Sequence, residues 1–286
     1  MREICQAIII LIGTVLIIAG ICVTVSCKSN DENRSTGEQS IKVRVTSDIV
    51  FKTSTDSRGR TVNLALDLYE PDNDNNVIRP LMVWIHGGGF YQGDKRDDPM
   101  IKLATYFARA GFACASINYR LLASSNADWS SREKMKLVAD AAIDDAKAAL
   151  CFLSEHRTQY RFDTSNIIIG GGSAGAFISL HVAYGNQDSL CGIKIGAVVD
   201  FWGGLFDISL MKAGGPPVLV FHGTNDNVVP YVFAEQLVSR AKESGVYLEL
   251  HSLVNEGHSA WGHMDEYYAI ISAFLSKQVP PVQNGK

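Results

Sequence analysis

The sequence predicts an α/β protein in which a mostly parallel, doubly wound sheet of eight strands carries helices on both faces. Two observations predict this fold class. Continuous apolar runs are typical of strands that are covered on both faces. Helical patterns lie between these runs, which implies parallel pairing through right-handed crossovers. The five runs are residues 81–85, 112–117, 166–169, 195–199 and 217–221.

The strands predicted at the two ends of the domain have other patterns. Residues 41–46 and 62–69 largely alternate apolar with polar or small side chains, as half-buried antiparallel strands do, and a turn lies between them. A last strand is predicted at residues 247–253. Helices are predicted at residues 138–153, where small and apolar side chains recur at helical spacing, and at residues 262–275.

Composition limits the possible classes of protein. The 286 residues are 47% hydrophobic and 20% charged, so the chain can bury a large core and lacks the bias that disorder, collagen or a coiled coil requires. It carries 26 Lys and Arg against 30 Asp and Glu, with no basic block. The sequence therefore predicts no phosphate-binding surface, and nucleic acid is excluded as an expected partner.

The N-terminal region is predicted to lie outside the fold. Residues 7–25 contain no charged side chain, and the segment that follows Cys27 contains no apolar one. We expect residues 1–26 to be a signal peptide or membrane anchor, residues 27–40 a polar tether, and residues 41–286 the folded domain.

The Ser26–Cys27 pair, directly after the apolar run, resembles a bacterial lipoprotein signal. In that interpretation Cys27 is the lipidated first residue of the mature protein. The alternative is an uncleaved membrane anchor with an incidental cysteine. Both interpretations place the folded domain outside the cytosol and tether it to a membrane.

The cysteines of the folded domain are Cys114, Cys151 and Cys191. They are widely spaced and odd in number, so they predict neither a disulfide framework nor a metal site. Whether any two of them pair stays open.

The turns that follow the strands are where a doubly wound sheet places its chemistry. One of them reads Gly171-Gly172-Ser173-Ala174-Gly175, between an apolar strand and a helix predicted to be amphipathic. Gly-x-Ser-x-Gly in this context is the pattern of a nucleophile elbow. Side chains at Gly171 and Gly175 would collide with neighbouring backbone, and Ser173 lies near the positive end of the helix.

A glycine-rich turn, HGGGF at residues 86–90, follows the third predicted strand. Consecutive glycines allow amide groups to point into a cleft, where preorganised donors stabilise the oxyanion of an acyl transfer by about 3–4 kcal/mol each. We expect the amides of Gly88, Gly89 and Ala174 to form this oxyanion hole. A phosphate-binding loop is excluded because no Lys-Ser or Lys-Thr follows the glycines, and His86 is interpreted as a packing residue rather than the base.

Two turns near the C-terminus supply an acid and a base. Asp226 follows one apolar strand, and His258 follows the last strand. With Ser173 they have the chain order serine, acid, histidine, which is the order of a hydrolase triad on this type of sheet. His258 would accept the serine proton, and Asp226 would orient the imidazole. Asp200, which also follows a strand, is the alternative acid.

The remaining candidate residues are interpreted as structural. His263 lies five positions beyond His258, which is not the spacing of a helical metal pair, and neither a metal nor an organic cofactor is predicted. His222 is expected to be a buried turn residue. Asp145 could anchor the glycine-rich turn, but a solvated helix face is the preferred interpretation.

The segments HGGGF, GGSAG, HGTNDNVVP and EGH occur in this order and resemble the α/β-hydrolase superfamily, nearest its carboxylesterase, acetyl-xylan esterase and feruloyl esterase branch. The resemblance covers about residues 41–277. It implies the α/β-hydrolase fold and a serine carboxylic-ester hydrolase that acts through an acyl-enzyme on short-chain or polysaccharide-linked acetyl or feruloyl esters. Many relatives carry Asp before the nucleophilic serine, where this chain has Gly172.

No large insertion separates the strand that ends at Asp200 from the one that starts near Pro217, where many relatives carry a cap domain. We therefore expect a shallow, open site, suited to short acyl groups or to esters on a bulky polymer. The stretch at residues 121–136 could form a rim on which Trp129 stacks a sugar or an aromatic acyl group. The alternative is an exposed loop with one anchoring aromatic.

Two other functions stay open. One is a serine peptidase or amidase of the same fold, whose members usually add a propeller or a large cap that is not expected within this length. The other is a non-catalytic binding domain, which would be expected to have lost Ser173 or His258, although both are present.

Overall fold

The structure, a computed structural model, describes residues 41–72, 78–123 and 132–279. The predicted signal or anchor segment, the tether with Cys27, and Trp129 lie outside the described residues.

Eight strands of the described residues form one sheet. Its spatial order is β1-β2-β4-β3-β5-β6-β7-β8 for strands numbered along the chain as β1 (Val43–Thr55), β2 (Thr61–Pro71), β3 (Arg79–Ile85), β4 (Ala113–Ile117), β5 (Phe162–Gly172), β6 (Ile195–Phe201), β7 (Val218–Gly223) and β8 (Leu248–Leu253). β2 pairs antiparallel with both β1 and β4, and every other neighbouring pair is parallel. The predicted mostly parallel sheet of eight strands is confirmed.

Helices cover both faces of this sheet, and in chain order they are α1 (Asp98–Arg109), α2 (Arg132–Glu155), α3 (Arg157–Tyr160), α4 (Ala174–Tyr184), α5 (Val232–Ser244) and α6 (Met264–Gln278). Side chains of α2, α4 and α5 pack with one set of strand residues, and those of α1 and α6 pack with the other set. Because both faces of the central strands are buried, their sequences are continuous apolar runs.

Two elements differ from their predicted form. β1 runs to Thr55, well beyond residue 46, because it pairs with β2 along its length although most of its side chains are at least partly exposed. α4 was predicted to be amphipathic, but every one of its residues is buried. It lies against β5, β6 and α2, and a helix that is covered on all sides is mostly apolar.

The connection between β6 and β7 is short. It spans residues 202–217 and contains a single 3-10 turn at Ile208–Leu210, so the cap domain of many relatives is absent from this fully described segment. In the part of the chain that the structure describes, no helix is both long enough and apolar enough to cross a bilayer.

One disulfide bond joins Cys151 on α2 to Cys191, with their Cα atoms 5.2 Å apart. The sequence left this pairing open because the two residues are separated by 40 positions. Cys114 is a free thiol buried in the core.

Candidate active site

Ser173 occupies the tight turn between β5 and α4. Its backbone has φ +54°, a left-handed conformation that costs a non-glycine residue of order 1–3 kcal/mol. The turn passes so close to β3 that a Cβ on Gly171 or Gly175 would run into the carbonyl oxygen of Ile85. The close approach that was predicted for these two glycines is therefore present, and it keeps Ser173 in the geometry of a nucleophile elbow.

The structure brings Ser173, His258 and Asp226 together. Ser173 Oγ lies 2.9 Å from His258 Nε2, and His258 Nδ1 lies 2.7 Å from Asp226 Oδ2. The three residues follow β5, β8 and β7, and they meet because parallel strands end at the same edge of a sheet. Such a chain of hydroxyl, imidazole and carboxylate can move the serine proton onto the imidazole.

Asp226 is held as a carboxylate behind the imidazole. Its side chain is fully buried, and its Oδ1 accepts hydrogen bonds from the amides of Val228 and Val229, each at 2.9 Å. Burial alone would raise the pKa of Asp226, but the hydrogen bond from His258 and those from the two amides outweigh it and lower the pKa. The negative charge is thus available to orient His258 and to stabilise its protonated form.

His222 supports the turn that carries this acid. It is fully buried, as predicted, and its Nε2 lies 2.8 Å from the carbonyl oxygen of Val229 and 3.5 Å from Asp226 Oδ2. Burial lowers the pKa of His222, so the neutral ring donates its Nε2 proton to Val229. This bond fixes the turn between Asp226 and Val229.

The glycine-rich turn lies at the same cavity as the serine. Gly88 and Gly89 have φ of +99° and +61°, and both line the cavity together with Ser173 and Ala174. The amides of Gly88, Gly89 and Ala174 donate no hydrogen bond to any other described residue. Three such donors beside the nucleophile are able to stabilise an oxyanion.

His86 packs beneath this turn and is not part of the proton relay. Its ring stacks on Tyr119 with centroids 4.3 Å apart. The carbonyl oxygen of Gly87 accepts hydrogen bonds from His86 Nδ1 at 2.8 Å and from the Tyr119 hydroxyl at 3.0 Å. His86 therefore has the packing role that the sequence analysis assigned to it.

Asp200, the alternative acid, has a different partner. Its Oδ1 accepts the amide of Gly203 at 2.7 Å, whereas the imidazole of His258 is bonded to Asp226. His263 does not join the triad either, and its Nε2 lies 3.0 Å from Glu256 Oε1.

The prediction for Asp145 was wrong. Its side chain is fully buried rather than solvated, and it lies 2.6 Å from Lys52 Nζ and 2.8 Å from Arg120 Nε. Lys52 and Arg120 balance the charge of this carboxylate. Because Lys52 belongs to β1, Asp145 links α2 to the sheet rather than to the glycine-rich turn.

The cavity beside Ser173 has a volume of about 740 Å³. Trp261 is partly exposed at its wall. The fully buried Trp202 packs behind it with ring centroids 4.6 Å apart, and Trp202 meets the ring of His258 edge-on at 6.3 Å. Neither tryptophan is predicted from the sequence as a site residue. Trp202 directly follows β6 and Trp261 follows His258 by three positions, so the rule that located the triad could have found them.

Two protein families match overlapping parts of the chain. Residues 66–215 match the BD-FAE family, and this part contains the glycine-rich turn and Ser173. Residues 207–280 match the prolyl oligopeptidase family, and this part contains Asp226 and His258.

The chain is also similar to a relative that is named as an ester hydrolase. LipM of Mycobacterium tuberculosis, named a probable carboxylic ester hydrolase, is 27% identical over 234 residues, which are 65% of this chain and 51% of LipM. The chain thus spans about half the length of this relative.

Two solved structures share the α/β-hydrolase fold of this chain. A truncated carbohydrate esterase from gut microbiota has a TM-score of 0.67 at 20% identity and covers 84% of this chain and 98% of its own. A thermophilic esterase, Est2 of Thermogutta terrifontis, has a TM-score of 0.66 at 20% identity and covers 87% and 96%. The predicted α/β-hydrolase fold is confirmed.

Proposed function

The chain belongs to the BD-FAE family, and from this membership and the geometry of its site we propose that it is a serine carboxylic-ester hydrolase. The observation that carries the proposal is the hydrogen-bonded chain from Ser173 through His258 to Asp226. The similarity to a relative named a probable carboxylic ester hydrolase supports it.

In the proposed reaction Ser173 Oγ attacks the ester carbonyl carbon while His258 Nε2 accepts the hydroxyl proton. The amides of Gly88, Gly89 and Ala174 stabilise the negative charge that develops on the carbonyl oxygen. When the tetrahedral intermediate collapses, the bond to the alcohol breaks and the alcohol leaves with the proton from His258. Water then gives a proton to His258 and attacks the acyl carbon. The bond between that carbon and Ser173 Oγ breaks, the carboxylic acid leaves, and His258 returns the proton to Ser173 Oγ.

Replacing the nucleophile tests the proposal directly. Ser173→Ala should lower the turnover of p-nitrophenyl acetate at least about a thousandfold, because no acyl-enzyme can form. Thermal unfolding of the same variant checks that the fold is retained. Esterase turnover at the wild-type rate in this variant would falsify the proposal.

A pair of isosteric variants distinguishes the two candidate acids. Asp226→Asn can no longer stabilise the charged imidazole, so kcat should fall by about 10⁴-fold, the size known for this change in a serine-protease triad. Asp200→Asn keeps an oxygen for the amide of Gly203 and should retain kcat within about threefold. The opposite order of the two variants would assign the acid to Asp200.

We propose further that the substrates are short-chain or polysaccharide-linked esters with acetyl or feruloyl groups. The ring of Trp261, which is partly exposed at the cavity, supports this proposal, because aromatic side chains pack against sugar and phenolic rings. A volume of about 740 Å³ lies within the range of sites that hold small organic ligands. The similarity to a protein named a carbohydrate esterase points the same way.

Release of acetate and ferulate from acetylated and feruloylated xylan tests the substrate class. A series of p-nitrophenyl esters of increasing acyl length is measured beside it. We expect kcat/KM to fall steeply beyond short acyl chains, because the short connection between β6 and β7 provides no apolar lid. Rates that increase towards long chains contradict this substrate class.

A serine peptidase or amidase is the second candidate, favoured by the match of residues 207–280 to the prolyl oligopeptidase family. Asp226 and His258 lie in that match, and both serve ester and amide hydrolysis alike. The ratio of kcat/KM for aminoacyl p-nitroanilides to that for p-nitrophenyl esters separates the candidates. A ratio above one favours the peptidase.

We propose that the folded domain is exported and tethered to a membrane through lipid on Cys27. The Ser26–Cys27 pair after residues 7–25 supports this proposal. The disulfide between Cys151 and Cys191 supports an oxidising compartment. In bacterial cells, labelled palmitate should enter the full-length chain but not Cys27→Ser. An unlabelled wild-type chain that remains in the membrane fraction favours the uncleaved anchor.

A further inference from the structure

Four charged side chains tie the end of the glycine-rich turn to the sheet, and we call them the lysine cluster. Lys95 is only 2% exposed, and its Nζ lies 2.8 Å from Asp48 Oδ1 and 3.0 Å from Asp67 Oδ1. Arg96 completes the cluster at 2.7 Å from Asp67 Oδ2 and 2.6 Å from Asp48 Oδ2. A buried ammonium group needs such partners, because burial without them is strongly unfavourable.

The two aspartates of the cluster lie on the antiparallel hairpin of β1 and β2. Asp48 sits in a bulge, where the pairing register of β1 shifts and its own φ is +58°. Its amide donates to Asp67 Oδ1 at 2.8 Å. Bulges re-aim side chains, and this one directs the Asp48 carboxylate at Lys95. Hydrogen bonds from Lys95 and then from Arg96 hold the pKa of Asp48 below its usual range.

The backbone of Lys95 is fixed as well as its side chain. Its amide donates to Asn118 Oδ1 at 2.6 Å, and its carbonyl oxygen accepts the hydroxyl of Ser116 at 2.7 Å. Asn118 in turn donates to Asp94 Oδ2 at 2.9 Å. Ser116 belongs to β4, so Lys95 is joined to β1, β2 and β4 at once.

The glycine-rich turn closes between two fixed points. The turn begins at His86, directly after β3. The chain that follows the turn comes back against His86 at Gly93, where a Cβ would run into His86 Nδ1. Within the turn, the carbonyl oxygen of Gly88 accepts two amides of the following residues at 3.2 and 3.1 Å. The direction of the amides of Gly88 and Gly89 therefore depends on where the segment from Gly93 to Lys95 is held.

We propose that Lys95, Asp67 and Asp48 are positioning residues for the oxyanion hole. They hold the end of the glycine-rich turn so that the amides of Gly88 and Gly89 point at the reacting oxygen, an inference that rests on the proposed ester hydrolysis. None of the three lines the cavity. Their effect is therefore on the transition state, in which the oxyanion develops, rather than on substrate binding.

Lys95→Met removes the charge and keeps most of the apolar stem. With p-nitrophenyl acetate, kcat should fall about 10- to 100-fold while KM stays within about threefold, because the lost stabilisation acts on the transition state alone. The matched control is Arg44→Met. It breaks the 3.0 Å pair of Arg44 with Glu70, which joins the same two strands outside the lysine cluster, and its kcat should stay within about twofold.

Hydrogen exchange provides a readout that does not need turnover. The amides of Tyr91 and Gln92, which bond to Gly88, should exchange faster in Lys95→Met than in the Arg44 control. Arg96→Met is a second variant, because it removes the cation that holds Asp48 and Asp67 beside Lys95. Its side chain is 45% exposed, so we expect this variant to fold. Its kcat should fall about threefold or more at unchanged KM.

Four outcomes separate the positioning role from the proposed function. A wild-type kcat in folded Lys95→Met and Arg96→Met overturns the positioning role, and so does a raised KM at wild-type kcat. An equal loss of kcat in Arg44→Met overturns it too, since general weakening of the hairpin then explains the effect. A wild-type protein that hydrolyses no ester overturns the proposed function instead.

Discussion

Because Gly172 has no side chain, the ring of Trp261 can pack against the backbone beside the nucleophile. A Cβ at this position would lie 2.6 Å from Trp261 Cζ2 and 3.5 Å from Trp202 Nε1. Where many related hydrolases carry Asp, the ring of Trp261 occupies the space that such a side chain needs. The departure from the related motif is thus coupled to a residue on another loop.

We expect Gly172→Ala to displace Trp261 and to lower the unfolding free energy by about 1–3 kcal/mol, the usual cost of overpacking. Gly262→Ala is the matched control, because nothing lies within 4 Å of a Cβ there, and its effect should stay within about 0.5 kcal/mol. Urea denaturation measures both variants. Equal stability of the two would show that Trp261 moves aside without cost.

The sequence located Ser173 and Asp226 because each follows a strand that its own apolar run reveals, and it located His258 because that residue follows the last predicted strand in the expected chain order. The burial of Asp145 could not be predicted in this way. Its partners Lys52 and Arg120 are 93 and 25 positions away, and a helical pattern shows only which face is polar. The same limit applies to Lys95, whose two carboxylate partners lie on a hairpin much earlier in the chain.

Among the elements, the central strands were predictable and the extent of β1 was not. Burial on both faces produces an apolar run, which is a local signal. β1 has no such signal, since most of its side chains are at least partly exposed and hydrogen bonds to β2 define it. Its bulge at Asp48, which the proposed positioning role depends on, follows from the pairing and leaves no mark in the composition.

The disulfide between Cys151 and Cys191 links α2 to the segment before β6. Because the bond closes a loop of 40 positions, it restricts the unfolded chain, and removing it should lower the unfolding free energy by roughly 2–4 kcal/mol. The double variant Cys151→Ser, Cys191→Ser is compared with wild type by urea denaturation. Dithiothreitol should destabilise the wild type to a similar extent and leave the double variant unchanged. Insensitivity of the wild type to the reductant would mean that the bond is absent in solution.

For the whole domain, the order of the strands decides which turns meet. β3 and β5 are neighbours, and they supply the glycine-rich turn and Ser173. β7 and β8 are neighbours, and they supply the acid and the base. β6 lies between these two pairs, so the residues at its end are buried where both halves of the site join. Asp200 and Trp202 occupy this central position.

Asp200 should make the stability of the domain depend on pH. Its side chain is fully buried, and among the described residues its Oδ2 has no hydrogen-bond partner. Burial raises the pKa of Asp200 to about 7, whereas an aspartate in the unfolded chain titrates near pH 4. Between these values the folded protein holds a proton that the unfolded chain releases. Stability therefore falls as the pH rises from about 4 to about 7, and the loss is complete above that range.

Asp200→Asn isolates this contribution, because Asn retains an oxygen for the amide of Gly203 and cannot ionise. The unfolding free energy of the variant minus that of the wild type should increase between pH 5 and pH 8, since only the wild type loses stability there through this group. Urea denaturation at several pH values measures the difference, and all other titrating groups cancel in it. A difference that stays constant with pH would mean that Asp200 has the same charge in the folded and unfolded chains, and the free Oδ2 would then need a partner such as bound water.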